Sequence, residues 1–312
     1  MRVHEFLQLY ESGHRNFRGI NLSGADLSSC ILVNVDLSGA NLTGTNFSRA
    51  FLTKGQFVGA QLQRANLQFA KLSETNFSRA NLTKIEARGA FWIKAELSYA
   101  QLSGAQLAHV NLRQSRLCCT NFCGASLPGV NLREAELRGA NLAWANLKDV
   151  RLYGANISAV QFNGAHLEGA RLNGLNFRGR DLNGINFAHA HMKGADLQET
   201  NLIAANFSGA QLQHANLQQA QLSGANLYQA QLQRTNLTSA NLSRANIEQT
   251  DLAGAVLTHT VFDSNLENKN ENKAVFAQKS VVIRGITHQT AAIRKLQMNF
   301  SLPVLARQTY HI

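Results

Sequence analysis

The sequence contains little proline, cysteine and charge, and few aromatic residues. Its 312 residues include 2 Pro and 4 Cys, and 16% of them are charged and 7% aromatic. Four cysteines, none in spaced pairs of C-x-x-C motifs, are too few for a disulfide scaffold, so we expect reduced structural thiols. No stretch approaches the roughly 18 consecutive apolar residues of a membrane-spanning helix, and no signal-peptide core follows Met1. We therefore expect a cytoplasmic protein without a membrane partner.

A five-residue repeat runs through most of the chain. From Phe17 to Phe262 every fifth residue, here called the centre of a unit, is large and apolar except Ala87, which gives 50 units in one register. A small residue, most often Ala, lies two positions before the centre, and Asn, Asp or Gln lies one position before it. Gly is frequent two positions after the centre. Because a period of five fits neither a helix nor a strand, the chain must turn once in every unit.

These units resemble a known family. The strings Ala40-Asn41-Leu42-Thr43-Gly44 and Ala195-Asp196-Leu197-Gln198-Glu199 are similar to the A-(D/N)-L-x-x unit of the pentapeptide-repeat proteins, and the similarity covers about 250 residues. The resemblance implies an all-β fold, a right-handed quadrilateral β-helix with four units per coil. Fifty units then give about 12 coils, and a spacing of about 4.8 Å between neighbouring strands gives a rod roughly 60 Å long.

The ends of the chain differ from the repeat. We predict an N-terminal helical cap in residues 1–15, with the helix over residues 3–12, because Val3, Phe6, Leu7 and Tyr10 recur at helical spacing. The same segment resembles the leader of cyanobacterial family members that regulate heterocyst differentiation. Residues 16–264 are assigned to the β-helix, and residues 265–312 to a polar linker and a non-repeat basic C-terminal tail. The tail either caps the last coil or stays mobile, and residues 281–283 are a possible strand.

The coil geometry implied by the resemblance places most of the excess positive charge on one face. The face centred on Leu32 and Leu52, and on every twentieth residue onward, carries nine Lys or Arg against three Asp or Glu. Its first outward positions are apolar, which is typical of a contact surface. The alternative is that these are solvated side chains and that the apolar group contacts the N-terminal helix. We predict a partner-binding surface made of Phe51, Phe91, Ile93, Lys94, Arg113, Arg133, Arg151, Tyr153, Arg171, His191 and Lys193.

The sequence is compatible with three functions, and none of them is enzymatic. The sequence has no G-x-S-x-G, no H-E-x-x-H and no phosphate-binding glycine loop before a helix, so we expect no catalytic residue, cofactor or metal. The first prediction is a protein-protein interaction scaffold, present as a monomer or weak dimer. The alternative is a nucleic-acid partner held by the arginine face. The family also suggests a DNA mimic that modulates DNA gyrase, but a net charge of +11 opposes mimicry of an acidic polymer.

Two irregularities interrupt the inward positions. Ala87 underfills a centre and Trp92 overfills the next one, which indicates either mutual compensation or a small backbone bulge. Arg180 occupies an inward position that Ala holds elsewhere, beside Asp181. Because an unpaired buried charge is costly, Arg180 is expected either to reach solvent or to be paired.

Overall fold

The chain folds into a continuous stack of turns closed at its start by a short helix. The computed structural model describes residues 1–263 and 282–284. In this part of the chain, helix α1 (Val3–Glu11) is followed by strands β1 (Val261–Asp263) and β2 (Val282–Arg284). Residues 16–260 between them are turns separated by single β-bridges. The predicted linker and most of the predicted tail lie outside the described residues.

Parallel bridges between residues 20 positions apart hold the stack together. Asn21 pairs with Asn41, Asn41 pairs with Gln61, and the same spacing recurs up to the pair of Asn241 and Val261, except that residues 156 and 161 form no bridge with residues 176 and 181. In a typical unit the N–H of Leu42 donates to the carbonyl of Gln61 at 2.7 Å, and the N–H of Asn41 donates to Ile20 at 2.8 Å. Each coil is therefore hydrogen-bonded through its backbone to the coils on both sides, as in a solenoid.

A tight turn follows every centre. The N–H of Ala40 donates to the carbonyl of Leu37 at 3.0 Å, and equivalent bonds recur in each unit. The residue two positions after the centre has a positive φ, as does the third residue of a type II β-turn. Among the described units, 20 glycines and 29 other residues have a positive φ at this position. Glycine is frequent here because a residue with a Cβ is strained in this conformation by about 1 to 2 kcal/mol.

Asparagine before the centre provides the hydrogen bonds that the turn leaves unmade. The Oδ1 of Asn81 accepts from the backbone N–H of Thr83 at 3.1 Å. The amide side chains also bond along the stack, as from Asn131 Nδ2 to Asn111 Oδ1 at 3.1 Å. The asparagine-rich columns therefore have a structural role, because their side chains bond both to the turns and to the neighbouring coils.

The apolar centres fill the interior, including the irregular pair. Ala87 and Trp92 are both fully buried, and the Trp92 ring lies 5.6 Å from the Phe77 ring. Both keep the regular backbone bond to the next coil at 2.8 Å, so the alternative of a backbone bulge is wrong. The larger ring does leave its Nε1 buried without a hydrogen-bond partner, which costs desolvation energy.

Helix α1 covers the open end of the first coil. Phe6 is fully buried, and its ring meets that of Phe17 edge-on at 4.6 Å. The Tyr10 hydroxyl donates to the carbonyl of Val33 at 2.9 Å. At the N-terminus of the helix, Glu5 Oε2 accepts from the N–H of Arg2 at 3.0 Å. The helix ends one residue earlier than the predicted range of 3–12.

The last described coil is extended by a strand from the tail. β2 lies parallel to β1, with Val261 opposite Val282 and Asp263 opposite Arg284. The strand expected at residues 281–283 is therefore present one residue further along the chain. The rest of the predicted tail falls outside the described residues.

Truncation of one buried centre tests the packing of the interior. We expect Leu142→Ala to lower the free energy of unfolding by about 2 to 5 kcal/mol, because this fully buried side chain would leave a cavity. Chemical denaturation followed by circular dichroism measures the loss. Arg138→Ala is the matched control on a neighbouring face, since Arg138 is exposed. Equal losses in the two variants would contradict the assignment of Leu142 to the core.

A glycine at the turn position tests the strain of the left-handed backbone. Gly44 has a φ of +67°, and a Cβ added there would meet nothing within 4 Å. We expect Gly44→Ala to lower the free energy of unfolding by about 1 kcal/mol through backbone strain alone. Arg49→Ala is the control, because Arg49 already adopts this conformation at +59°. A neutral Gly44→Ala would show that the turn does not discriminate against a Cβ.

Candidate partner-binding face

One ladder of bridged residues defines the face on which positive charge was expected. It is formed by outward side chains 20 residues apart, namely Ile31, Phe51, Lys71, Phe91, Asn111, Asn131, Arg151, Arg171, His191, Gln211, Gln231 and Asp251. We call this ladder, together with the second and third residues after each of its members, the mixed face. Five of the predicted site residues belong to the ladder itself. The others lie beside it, namely Ile93, Lys94, Arg113, Arg133, Tyr153 and Lys193.

The first coils of the mixed face expose apolar side chains. Ile31 is 66% exposed, Phe51 is 46% exposed and Phe91 is 39% exposed. The Lys71 ammonium lies 3.6 Å from the centroid of the Phe91 ring, so this end already combines a cation with an aromatic surface. Helix α1 reaches the carbonyl of Val33 on this face, in line with the alternative, but it leaves Ile31 and Phe51 open to solvent.

The middle of the mixed face is cationic, and one of its arginines is paired. Arg113 Nη2 lies 2.9 Å from Glu134 Oε1, and Gln114 Nε2 donates to the other oxygen of Glu134 at 2.6 Å. The Gln114 hydrogen bond, followed by the one from Arg113, lowers the pKa of the Glu134 carboxyl. Within the described residues no carboxylate lies at ion-pair distance from Arg133, Arg151 or Arg171.

The far part of the mixed face is neutral and internally hydrogen-bonded. His191 Nδ1 lies 3.1 Å from Gln211 Oε1. Gln213 donates to Gln231, and Gln233 donates to Asp251. These polar side chains bond to one another. Arg133, Arg151 and Arg171, which lie before most of them, have no carboxylate partner among the described residues.

Large exposed side chains also lie on the other faces, where the pattern of charges in the sequence does not indicate a binding surface. Trp144 is 70% exposed, and it lies against Gly164 in the next coil, where an added Cβ would come within 2.4 Å of the ring. Phe69 lies against Gly89 in the same way, and so does His109 against Gly129. A ring at the turn position followed by Gly 20 residues later is a readable signal for this packing.

The described residues offer no assembled metal site or membrane span. No group of three or more His, Cys, Asp or Glu side chains among them is placed to hold a metal ion. Cys118, Cys119 and Cys123 are free, and Cys119 is exposed. No helix within residues 1–263 and 282–284 has the length and apolar character needed to cross a membrane.

The repeat matches one family along almost all of its length. The model of pentapeptide repeats (8 copies) matches residues 20–57, 60–84, 75–114, 115–154, 151–187, 170–209, 181–219, 205–244, 220–258 and 240–265. The chain belongs to the pentapeptide-repeat family. This confirms the resemblance of the five-residue units, and the β-helical solenoid is the fold of the family.

Solved structures of other pentapeptide-repeat proteins are similar to this one. HetL, which is involved in heterocyst differentiation regulation in the cyanobacterium Nostoc sp. strain PCC 7120, is 30% identical over 84% of this chain and 97% of its own, with a TM-score of 0.38. A protein of the Arabidopsis thaliana thylakoid lumen is 26% identical over 43% of this chain and 92% of its own, with a TM-score of 0.36. The plasmid-mediated fluoroquinolone resistance protein QnrB1 is 16% identical over 68% and 92%, with a TM-score of 0.32. No curated protein sequence matches the chain.

Removal of Glu134, the carboxylate that pairs with Arg113 on the mixed face, tests whether the charges of this face stabilise the fold. We expect Glu134→Gln to leave the thermal unfolding midpoint unchanged, because the pair with Arg113 is exposed on both sides. Glu168→Gln is the matched control, since Glu168 pairs with the exposed Lys148 at 2.9 Å on another face. A midpoint lowered by Glu134→Gln alone would mean that Arg113 is committed to the fold and is not free for a partner.

Proposed function

We propose that this pentapeptide-repeat protein is a non-catalytic scaffold that docks a protein partner on the mixed face. The observation that carries the proposal is the order of side chains along one ladder, where exposed Ile31, Phe51 and Phe91 are followed by Arg151 and Arg171. Exposed apolar surface next to unpaired charge is the composition of a protein-binding patch with a polar rim. The sign of the charge favours a partner with an acidic surface.

The proposed site comprises the residues expected from the sequence, extended by Ile31. Exposed Phe51, Phe91 and Tyr153 supply aromatic contacts, and Ile93 lies beside them. His191 is also part of the proposed site, and its cationic members complement an acidic partner, namely Lys94, Arg113, Arg133, Arg151, Arg171 and Lys193. Arg113 is free to exchange its bond with Glu134 for one with the partner, because both side chains are exposed.

A rigid support is part of the proposal. We infer a right-handed, four-sided rod of about 12 coils, and the 20-residue spacing of every bridge supports four units per coil. Backbone bonds between coils fix the relative positions of the ladder side chains, so little ordering entropy is lost when a partner binds. A regulatory role of the kind named for HetL, a cytoplasmic location and a monomer or weak dimer complete the proposal.

Nucleic acid is the second candidate for the same face. Arg133, Arg151 and Arg171 are free of carboxylates within the described residues, and Arg151 and Arg171 are bridged neighbours. Such a row of guanidinium groups is able to contact successive phosphates. A gyrase-modulating DNA mimic ranks third, because mimicry requires an acidic surface and the net charge here is +11.

Charge reversal on the mixed face tests the docking surface. We expect simultaneous substitution of Arg113, Arg133, Arg151 and Arg171 by Glu to abolish capture of the partner from native lysate with little change in the thermal unfolding midpoint, because these outward charges contribute little to folding. The matched control reverses four exposed arginines on the other faces, Arg64, Arg79, Arg88 and Arg138. Equal capture by both variants would contradict the mixed face as the docking surface.

Nuclease treatment distinguishes the two candidate partners. A polypeptide that is retained after nuclease treatment, and that the control variant also retains, supports the scaffold. Nucleic acid that is recovered from the untreated lysate and released between 50 and 200 mM salt supports phosphate binding, because six to ten phosphate contacts would weaken binding by about 10³ to 10⁵ over this range. Recovery of nucleic acid alone would overturn the scaffold proposal.

A further inference from the structure

The stack is open along one stretch between two coils. Eight backbone hydrogen bonds of the kind that joins the other coils within residues 16–263 are missing between the coil that contains residues 154–164 and the coil that follows it. On the first lip, the N–H groups without their usual carbonyl partner belong to Gly154, Ile157, Ala159, Phe162 and Gly164. On the second lip they belong to Asn176, Asp181 and Asn186. The bridges of Arg151 with Arg171 and of His166 with Asn186 remain on either side of the opening.

Arg180 lies in the interior at this opening. Its column of inward residues, 20 positions apart, holds Ala140, Val160 and Thr200 in the neighbouring coils. A guanidinium is far longer than these side chains, and it donates from Nη1 to the carbonyl of Val160 at 2.7 Å and from Nη2 to the carbonyl of Ile157 at 2.6 Å. The Val160 carbonyl would otherwise accept the N–H of Asp181. Arg180 therefore replaces a backbone bond between the coils with a side-chain bond.

Arg180 has no carboxylate partner among the described residues. The adjacent Asp181 uses its Oδ1 to accept from the N–H of Asn183 and from Asn201 Nδ2, so it does not neutralise the guanidinium. Burial lowers the pKa of the Arg180 guanidinium by desolvation. The sequence predicted that Arg180 either reaches solvent or is paired. Its guanidinium is hydrogen-bonded to two carbonyl oxygens, but no carboxylate among the described residues compensates its charge.

The opening is a cleft of about 740 Å³ that reaches solvent. The core is less completely covered here, because Ile157, Val160 and Leu175 are 4 to 5% exposed, whereas Leu137 and Ala140 one coil earlier are 0% exposed. Arg178 also lines the cleft, and it is held by Glu199 at 2.9 Å. The lining therefore combines two guanidinium groups with the unpaired N–H groups of Gly154, Ile157, Ala159 and Asn176. The carbonyls of Asn173, Asn176 and Arg178, which would accept three of these N–H groups in a regular coil, lie on the opposite lip.

We propose that this cleft binds an oxyanion of the phosphate or carboxylate class. Arg180 has five N–H donors and commits two of them to carbonyls, which leaves donors for a ligand. The N–H groups of Gly154, Ile157 and Ala159 add backbone donors of the kind that hold phosphates elsewhere. An anion bound beside Arg180 would compensate the half-buried charge and accept from the nearest of these N–H groups. The site is distinct from the mixed face proposed for the protein partner, which it adjoins at Tyr153.

Amide resonances and amide hydrogen exchange measured by NMR test the proposal. Inorganic phosphate and acetate are titrated separately against sodium chloride at constant ionic strength. We expect one of the two oxyanions to shift the N–H resonances of Gly154, Ile157 and Ala159 saturably, and to slow their exchange by about tenfold, because ligation suppresses local opening. Phosphate and acetate then distinguish the two sources of the oxyanion.

Substitution of the wedged arginine separates binding from folding. Arg180→Ala restores the small inward residue, so we expect the coils to close, the three amides to be protected without ligand, and the anion response to disappear. Arg180→Lys is a second variant, in which the charge remains and the response weakens because the fork of donors is lost. Arg64→Ala, at an exposed turn position, is the control and should respond like the wild type. An absence of saturable shifts with both oxyanions, or an unchanged response in Arg180→Ala, would overturn the proposal.

Discussion

The backbone hydrogen bond between residues one coil apart is the interaction on which the structure depends. It fixes a register of 20 residues, and a single inserted or deleted residue would move every later side chain to another position. The fold therefore requires the five-residue period at all 50 centres while it tolerates wide variation at the outward positions. Stability comes from the stack, and the surface is left free for recognition.

The same register turns an ordinary surface pattern into columns. Outward side chains 20 residues apart become neighbours at about the 4.8 Å spacing of strands, so Arg151 and Arg171 lie side by side although a whole coil of sequence separates them. Like charges held this close repel one another, and a rigid backbone does not let them move apart. A partner with negative charge relieves that repulsion, which is why the sign of the column matters more than the total charge of the chain.

The sequence was sufficient to predict the repeat, the turn in every unit and the helix that covers the first coil. These features follow from local rules, because Gly44 and its equivalents tolerate the turn and the spacing of Phe6 and Tyr10 is helical. The opening beside Arg180 could not be predicted, since a guanidinium in an inward position is able to reach solvent, meet a carboxylate or bind carbonyls. Only the positions of the atoms decide between these outcomes. The register determines which residues lie on the candidate docking face, but it does not determine which partner binds there.

The opening also changes how the stack behaves as a linear array. In a solenoid, cooperativity passes from each coil to the next through their shared interface, and one weak interface divides the array into segments that open and close separately. Eight absent backbone bonds make the interface at residues 154–164 such a boundary within residues 16–263. The coils before it hold the apolar end of the mixed face together with Arg113, Arg133 and Arg151, whereas those after it hold Arg171 and the glutamine-rich part. The bridge between Arg151 and Arg171 still joins the two segments on the mixed face, so the arginine column keeps its spacing across the boundary.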